Sequence, residues 1–386
     1  MNIGIIGVGK LGLSYALVFE ECGFNIIASS YKQEYVELLQ KKIIDTVEPG
    51  IQERLEKSKN IHFTIDNNVV IEACEYIYVM VPTPSLQDGS YDISAVETVA
   101  QDFIKYSLYL GDVSGIKLII GCTMNPGDTR RIQNMLSPIG VKVVYSPTFV
   151  AQGNVIDKIY NPPGVLFGTE HKDIGKECQK IWIKIQKNNA PLSIVNQTTA
   201  EILKLTFNCL MTLRISFYNQ IGKLAIQSGV AEDLDEIDRA INRFNDMDLG
   251  FGFGYGGPCL PRDNRAMVTY ARSIDSDYVF GDIVDKFNND HSVFLADYFI
   301  KQNKENKPYY FDYITYKKGV NITDESQQFE CCCKLLELGN IVYVNPSECL
   351  PNDFIHKLEE SFKDKVLFTS KEELTKSNID FYEIKL

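Results

Sequence analysis

The stretch NIGIIGVGKLG, residues 2–12, decides the fold of the N-terminal part. A strand-like apolar run ends in Gly7, Gly9 and Gly12 at G-x-G-x-x-G spacing, and the helix-like run KLGLSYALVF follows at once. The three glycines have separate uses. The first makes a tight turn, the second lets backbone approach a pyrophosphate, and the third lets helix and strand pack closely. The start of the helix then presents N–H groups and the positive end of its dipole to the anion. With a strand before and a helix after, Gly7, Gly9 and Gly12 are expected to hold a dinucleotide in a Rossmann domain. An acid for the adenosine ribose is expected about 20 residues further on. Here the second strand-like run, NIIAS, leads into Ser30, Tyr31 and Lys32, with Ser30 where the acid would stand. Serine plus lysine accept a 2′-phosphate, which favours NADP. Alternatively, serine and backbone hold a plain ribose, as for NAD, with Lys32 in solvent.

Outward from this turn, YIYVMV, KLIIG and VKVVYS are further near-continuous apolar runs. Helix-like stretches at 32–40, 67–74, 94–106 and 128–136 separate them. That alternation predicts a parallel sheet covered on both faces. Residues 197–228 carry apolar side chains at three- and four-residue spacing, which predicts one long helix, able to link domains or form a dimer face, with Gly229 as its stop. From about residue 307, YYFDY, 326–338, NIVYV, 351–362 and KVLFT alternate again and predict a smaller α/β domain.

The 386 residues are too many for one ordinary domain, and 45% apolar residues are enough for large cores. A formal net charge of -12 argues against nucleic-acid and anionic-membrane partners. No apolar run reaches the ~18 residues of a transmembrane helix, so none is expected. No signal peptide is expected either. Ten scattered cysteines without a CxxC pair, and four histidines, point to a reduced, cytoplasmic setting and to no metal site. The run Cys331, Cys332, Cys333 reads as packing.

Residues 252–263 read GFGYGGPCLPRD. Cys259 there is either a small apolar residue in a turn or a nucleophilic thiol approached closely by substrate. Upstream, Lys204 and Asn208 lie four apart, hence on one helix face, where an ammonium and an amide stabilise an oxyanion or hold a water.

Taken together, these motifs and their order resemble the UDP-glucose/GDP-mannose dehydrogenase family. VEPG at 47–50, VPTP at 81–84, GCTMNPGDTR at 121–130, AEILKLTFN at 200–208 and GFGYGGPCLPRD at 252–263 are similar to that family's segments. The resemblance implies oxidation of the C6 alcohol of a nucleotide sugar, UDP-glucose above all, to a carboxylate with two NAD. It implies a homodimer as well. Three domains are expected: an NAD(P)-binding Rossmann domain at 1–190, a central helical dimerisation and catalytic-loop region at 191–290, and a Rossmann-like α/β domain for the UDP-sugar at 291–386. Cys259 is implied as the nucleophile that forms a thiohemiacetal and then a thioester, with Lys204 or Arg262 favouring its thiolate. Asp263, or a water held by Lys204 and Thr123, takes the alcohol proton. Thr83 and Thr123 are implied near the cofactor. Gln152, Lys204, Asn208, Arg243, Phe251, Tyr255, Gly256 and Lys317 are implied around the substrate.

The chain departs from the family at SPTFVAQG, 146–153, where Thr148 and Gln152 replace glutamates, the second of them tied to thioester hydrolysis. It departs again at YKKGVNITDES, 316–326, where Asp324 replaces an arginine. UDP-N-acetylhexosamine or GDP-mannose oxidation, or a nucleotide-sugar-binding relative without turnover, are the alternatives these changes leave open.

Overall fold

Strand β1 (Asn2–Ile6) lies inside an eight-stranded sheet because its side chains are apolar on both faces, and four of its five residues are buried. The computed structural model describes all residues except 151–152, 246–248, 347–349 and 386. The chain divides into two compact units, Met1–Leu205 and Thr206–Leu386.

In the first unit β1 is followed by α1 (Lys10–Glu21), β2 (Asn25–Ser29), α2 (Gln33–Gln40), α3 (Ile51–Lys57), β3 (Ile61–Thr64), α4 (Asn67–Ala73) and β4 (Tyr76–Val79). Then come α5 (Ser94–Tyr109), β5 (Lys117–Ile120), α6 (Asp128–Leu136), β6 (Lys142–Tyr145), α7 (Val155–Tyr160), β7 (Val165–Gly168), α8 (Lys172–Ile185) and β8 (Leu192–Val195). The sheet order is β3-β2-β1-β4-β5-β6-β7-β8, and the first six strands are parallel. The order reverses between β1 and β4, which opens a crevice beyond their carboxyl ends. An aromatic cluster fills the layer under α1: Phe19 meets Tyr78 at 5.1 Å and Trp182 at 6.2 Å, both edge-on. Such pairs add about 0.5–1.5 kcal/mol each beyond their buried area.

β7 and β8 depart from the all-parallel expectation. β7 runs antiparallel to β6 and meets it only at Tyr145 and Gly168, the last residue of each. The chain leaving β8 therefore emerges at the same edge as the loop after β6. There α9 (Gln197–Gln227) begins. A Cβ on Gly168 would stand 2.6 Å from Ala200 Cβ, so glycine is what lets the first turn of α9 lie on the sheet. Gln197 pins it by donating from Nε2 to Val143 O at 3.2 Å.

The second unit holds the rest of α9, which ends at Gln227, two residues before Gly229 with φ +78, the stop that the spacing predicts. Helices α10 (Leu234–Asn245), α11 (Leu260–Ser273) and α12 (Phe280–Gln302) follow. Then come β9 (Tyr309–Phe311), α13 (Gln327–Glu337), β10 (Val342–Val344), α14 (Asn352–Phe362), β11 (Val366–Phe368), α15 (Lys371–Lys376) and β12 (Tyr382–Glu383). The four strands form a parallel sheet in the order β11-β10-β9-β12. Cys331 and Cys332 are buried in its core with Leu335, Val342 and Val344, as the packing reading expected. Among the described residues no helix is long and apolar enough to cross a membrane.

Candidate active site

In the first unit, Gly7, Ser30, Thr83 and Thr123 all follow the carboxyl ends of parallel strands. Gly7 has φ +97, and a Cβ there would stand 2.7 Å from the Met80 carbonyl carbon. A Cβ on Gly12 would stand 2.3 Å from Gly7 O. The fold itself demands both glycines. Gly9 is different: it sits at the N-cap of α1 with φ -74, and a Cβ there would meet no atom within 4 Å. Nothing among the described residues requires a glycine at this position, yet a pyrophosphate lying on the first turn of α1 does. These residues therefore fit a dinucleotide cofactor.

At the end of β2, Ser29 is buried and its hydroxyl donates to Asn67 Oδ1 at 2.7 Å. Ser30 is half-buried, and Lys32 is exposed at the N-cap of α2. Thr83 is 8% exposed in the segment after β4. Thr123 is half-buried in the loop after β5. The two loops are tied by one amide: Asn125 Nδ2 donates to Tyr91 O, and Tyr91 N donates to Asn125 Oδ1, both at 2.8 Å.

Two acids that the sequence reading quoted without assigning a role hold this crevice together. Glu201, in the first turns of α9, is fully buried, and its carboxylate accepts from Gly127 N at 2.6 Å and Thr129 N at 2.7 Å. It thereby caps α6 from a distant helix. Burial pushes its carboxyl up to about 7, against the lowering effect of those hydrogen bonds. Three residues on, Lys204 is 8% exposed, with its ammonium 5.6 Å from the ring of Phe149. Glu48 of VEPG accepts from Gly153 N at 2.7 Å and Val155 N at 2.6 Å, and so holds the start of α7. The expected substrate residue Gln152 lies outside the described residues.

In the second unit, Cys259 is exposed and is the N-cap residue of α11. Its carbonyl accepts from Asp263 N at 2.9 Å, so the thiol and the Asp263 carboxylate share the first turn of one helix. Asp263 is 2% exposed and accepts from Asn208 Nδ2 at 2.5 Å. A buried carboxylate is thus held in place by an amide, and the dipole of α11 favours negative charge beside Cys259.

The loop leading to Cys259 has its main-chain groups satisfied by side chains of three helices. Phe251 N donates to Asp238 Oδ2 at 2.8 Å, and Gly252 N donates to Asn219 Oδ1 at 3.0 Å. His291 Nε2 lies 2.8 Å from Gly252 O. Asn288 clamps Tyr255, accepting from its N–H and donating to its carbonyl, both at 2.9 Å. The buried phenol of Tyr255 donates to Asp285 Oδ1 at 2.7 Å, and burial and that carboxylate push its pKa up. Arg265 joins Asp285 at 2.6 Å and forks onto Glu325 at 2.8 and 2.7 Å.

This network also fixes how the aromatic side chains of the loop pack. Phe251 and Tyr255 were expected around the substrate, and the structure packs them inward. Phe251 lies against the unit core and Gly222, and the phenol of Tyr255 is engaged by Asp285. Cβ atoms on Gly254, Gly256 and Gly257 would collide with Asn288, Glu325 and Tyr316, so the fold of the loop itself calls for these glycines. Arg243 is exposed on α10. Lys317 is exposed too, its carbonyl accepting from Thr315 Oγ1 at 2.9 Å.

Residues 1–186 match the NAD-binding domain, and residues 198–290 the central domain, of the UDP-glucose/GDP-mannose dehydrogenase family. An uncharacterized protein of Methanocaldococcus jannaschii is 28% identical over 287 residues, which is 71% of this chain and 31% of that protein. A UDP-glucose 6-dehydrogenase of Rickettsia bellii is 25% identical over 353 residues, 89% of this chain and 80% of that one. In fold, the chain is similar to a UDP-glucose dehydrogenase of Pyrobaculum islandicum, with a TM-score of 0.80 and 21% identity, over 98% of this chain and 88% of that one. Two family domains in sequence, covering most of the chain, match the order of motifs around Gly9 and Cys259, and the chain belongs to the UDP-glucose/GDP-mannose dehydrogenase family.

Proposed function

We propose that the chain is a nucleotide-sugar 6-dehydrogenase that oxidises UDP-glucose to UDP-glucuronate. The observation that carries this reading is the exposed thiol of Cys259 at the start of α11, one turn before the buried Asp263–Asn208 pair. A nicotinamide cofactor, which Gly7, Gly9 and Gly12 would hold, would supply the hydride acceptor, one molecule for the oxidation of alcohol to aldehyde and a second for that of thiohemiacetal to thioester. Cys259 forms the S–C6 bond with the aldehyde, which keeps that carbon in place between the two oxidations. The thiol loses its proton before the bond forms, with the first turn of α11 steadying the thiolate, and a proton returns to the aldehyde oxygen as it becomes the thiohemiacetal hydroxyl. Asp263, or a water held by Lys204 and Thr123, takes the proton of the C6 alcohol. Asn208 keeps the Asp263 carboxylate in one orientation. Water then breaks the S–C6 bond, giving the carboxylate and returning the thiol. The chain has Gln152 where the family has a glutamate tied to this hydrolysis, and an amide does not accept a proton from water, so either this step is slow or another base serves it.

A homodimer belongs to the same reading. On α9, Phe207, Leu210, Phe217 and Leu224 are between 45% and 60% exposed and recur at three- and seven-residue spacing. That stripe supports a helix face buried in a partner copy. The acidic chain and a short metabolite as substrate support a cytoplasmic site of action.

The test is reduced nicotinamide formed per sugar consumed, with UDP-glucose, UDP-N-acetylglucosamine and GDP-mannose offered separately. Two per UDP-glucose is expected, and Cys259→Ser is expected to abolish carboxylate formation while still binding dinucleotide. Turnover on another sugar alone replaces the substrate assignment. Wild-type rates in Cys259→Ser remove the nucleophile. A burst that stops after one turnover locates the fault at hydrolysis and Gln152.

A further inference from the structure

We infer that Ser30 and Lys32 form a 2′-phosphate subsite, so that the dinucleotide this chain prefers is NADP. The inference rests on the dinucleotide reading of the Gly7–Gly12 turn and departs from the matched family domain, whose description names NAD.

Three observations lead to it. First, the end of β2 offers no carboxylate to a ribose. Its last residue, Ser29, is buried, and its hydroxyl is committed to Asn67, whose Nδ2 in turn donates to Asp102 Oδ2 at 2.8 Å. The side chain before the acid's expected position is thus turned inward, and that position itself carries Ser30. Second, the next residue is held at the rim. Ser30 N donates to Thr64 O at 3.1 Å, and its Oγ lies 3.4 Å from Lys32 N, leaving a half-buried hydroxyl at the position where ribose is read. Third, the only full cation of this short segment stands beside it. Lys32 is exposed at the N-cap of α2, its ammonium 5.7 Å from the ring centroid of Tyr31, which is itself 81% exposed.

A hydroxyl and an ammonium two residues apart are a donor pair for a dianionic group, and a charged donor adds more than a neutral one. A plain ribose hydroxyl gains little from Lys32, because an ammonium in solvent keeps its hydration. The neighbouring acids are Asp66, which caps α4 by accepting from Asn68 N at 2.8 Å, and Glu34 in the first turn of α2. One Asp66 oxygen is thereby engaged at the start of α4.

The experiment is a fluorescence titration of the full chain with NADPH and with NADH, without sugar. NADPH is expected to bind at least about tenfold tighter. Lys32→Ala is expected to remove most of that preference while leaving NADH binding unchanged, and Ser30→Asp to reverse it. Equal affinities, tighter NADH binding, or an equal loss for both cofactors in Lys32→Ala would overturn the inference. If neither cofactor bound, the dinucleotide reading itself would fail, an outcome separate from a preference for NADH.

Discussion

Glu201 gives the sharpest test of how the first unit is held together. Its carboxyl is pushed from 4.5 to about 7 in the folded chain, chiefly by burial. A raised carboxyl favours the protonated form in the folded state. Its contribution to stability is therefore complete below the unfolded value and lost as pH rises through about 7. With these two values, linkage gives a loss of about 2 kcal/mol between about pH 5.5 and about pH 8.5. Glu201→Gln does not titrate, so this loss disappears. The variant has its own cost: one of its two side-chain ends is an NH2 group facing a backbone N–H of Gly127 or Thr129, about 1–3 kcal/mol at every pH. The informative quantity is therefore the gap between variant and wild type. The wild type should lead at about pH 5.5, and its lead should shrink by about 2 kcal/mol at about pH 8.5. For a unit of this size that is about 4–8 °C in Tm. Scanning calorimetry should follow the transition that added dinucleotide raises, because a chain of two units does not unfold as one step. A gap that stays constant across this range would mean that Glu201 keeps one protonation state throughout, and that its two hydrogen bonds outweigh burial.

The glycine turn separates fold from ligand. Gly9→Ala should leave Tm unchanged and lower dinucleotide affinity at least about tenfold, since the new methyl meets only the ligand's space. Gly12→Ala should cost stability, about 1–3 kcal/mol, because its Cβ collides with Gly7 O. Loss of stability in Gly9→Ala would refute the distinction. Asn208→Asp would set two buried carboxylates against each other where an amide now donates at 2.5 Å. It should destabilise by about 3 kcal/mol at neutral pH. The deficit should narrow as pH falls, since one shared proton relieves the pair, and a pH-independent deficit in urea unfolding would contradict this account.

Much of the fold was legible because it rests on local pattern. β1, β4, β5 and β6 are apolar on both faces and read as continuous runs, and α9 carries its own period and its own glycine stop. β7 and β8 were missed. VLFG and LSIV are four residues each beside prolines, and their pairing is set by partners far along the chain. In the candidate site, Gly9 was legible from its spacing, Asn208 from its place four residues after Lys204, and Cys259 and Asp263 through the motifs that carry the family resemblance. Glu201 and Glu48 were not, because an acid in sequence does not reveal which N–H groups it will meet 72 to 107 residues away. The packing of Phe251 and Tyr255 was hidden for a related reason: aromatic residues among glycines look the same whether they line a pocket or seal a core. Only the partners, Gly222 and Asp285, separate the two.

The loop before Cys259 draws its hydrogen bonds from Asn219, Asp238, Asn288 and His291 rather than from a neighbouring strand. Its shape is therefore encoded at positions that lie on three helices and belong to no catalytic motif. In a population of variants selected for a new sugar, adaptive changes should accumulate at those four sites as readily as in the loop. A search confined to residues that line the thiol would overlook the positions that steer it.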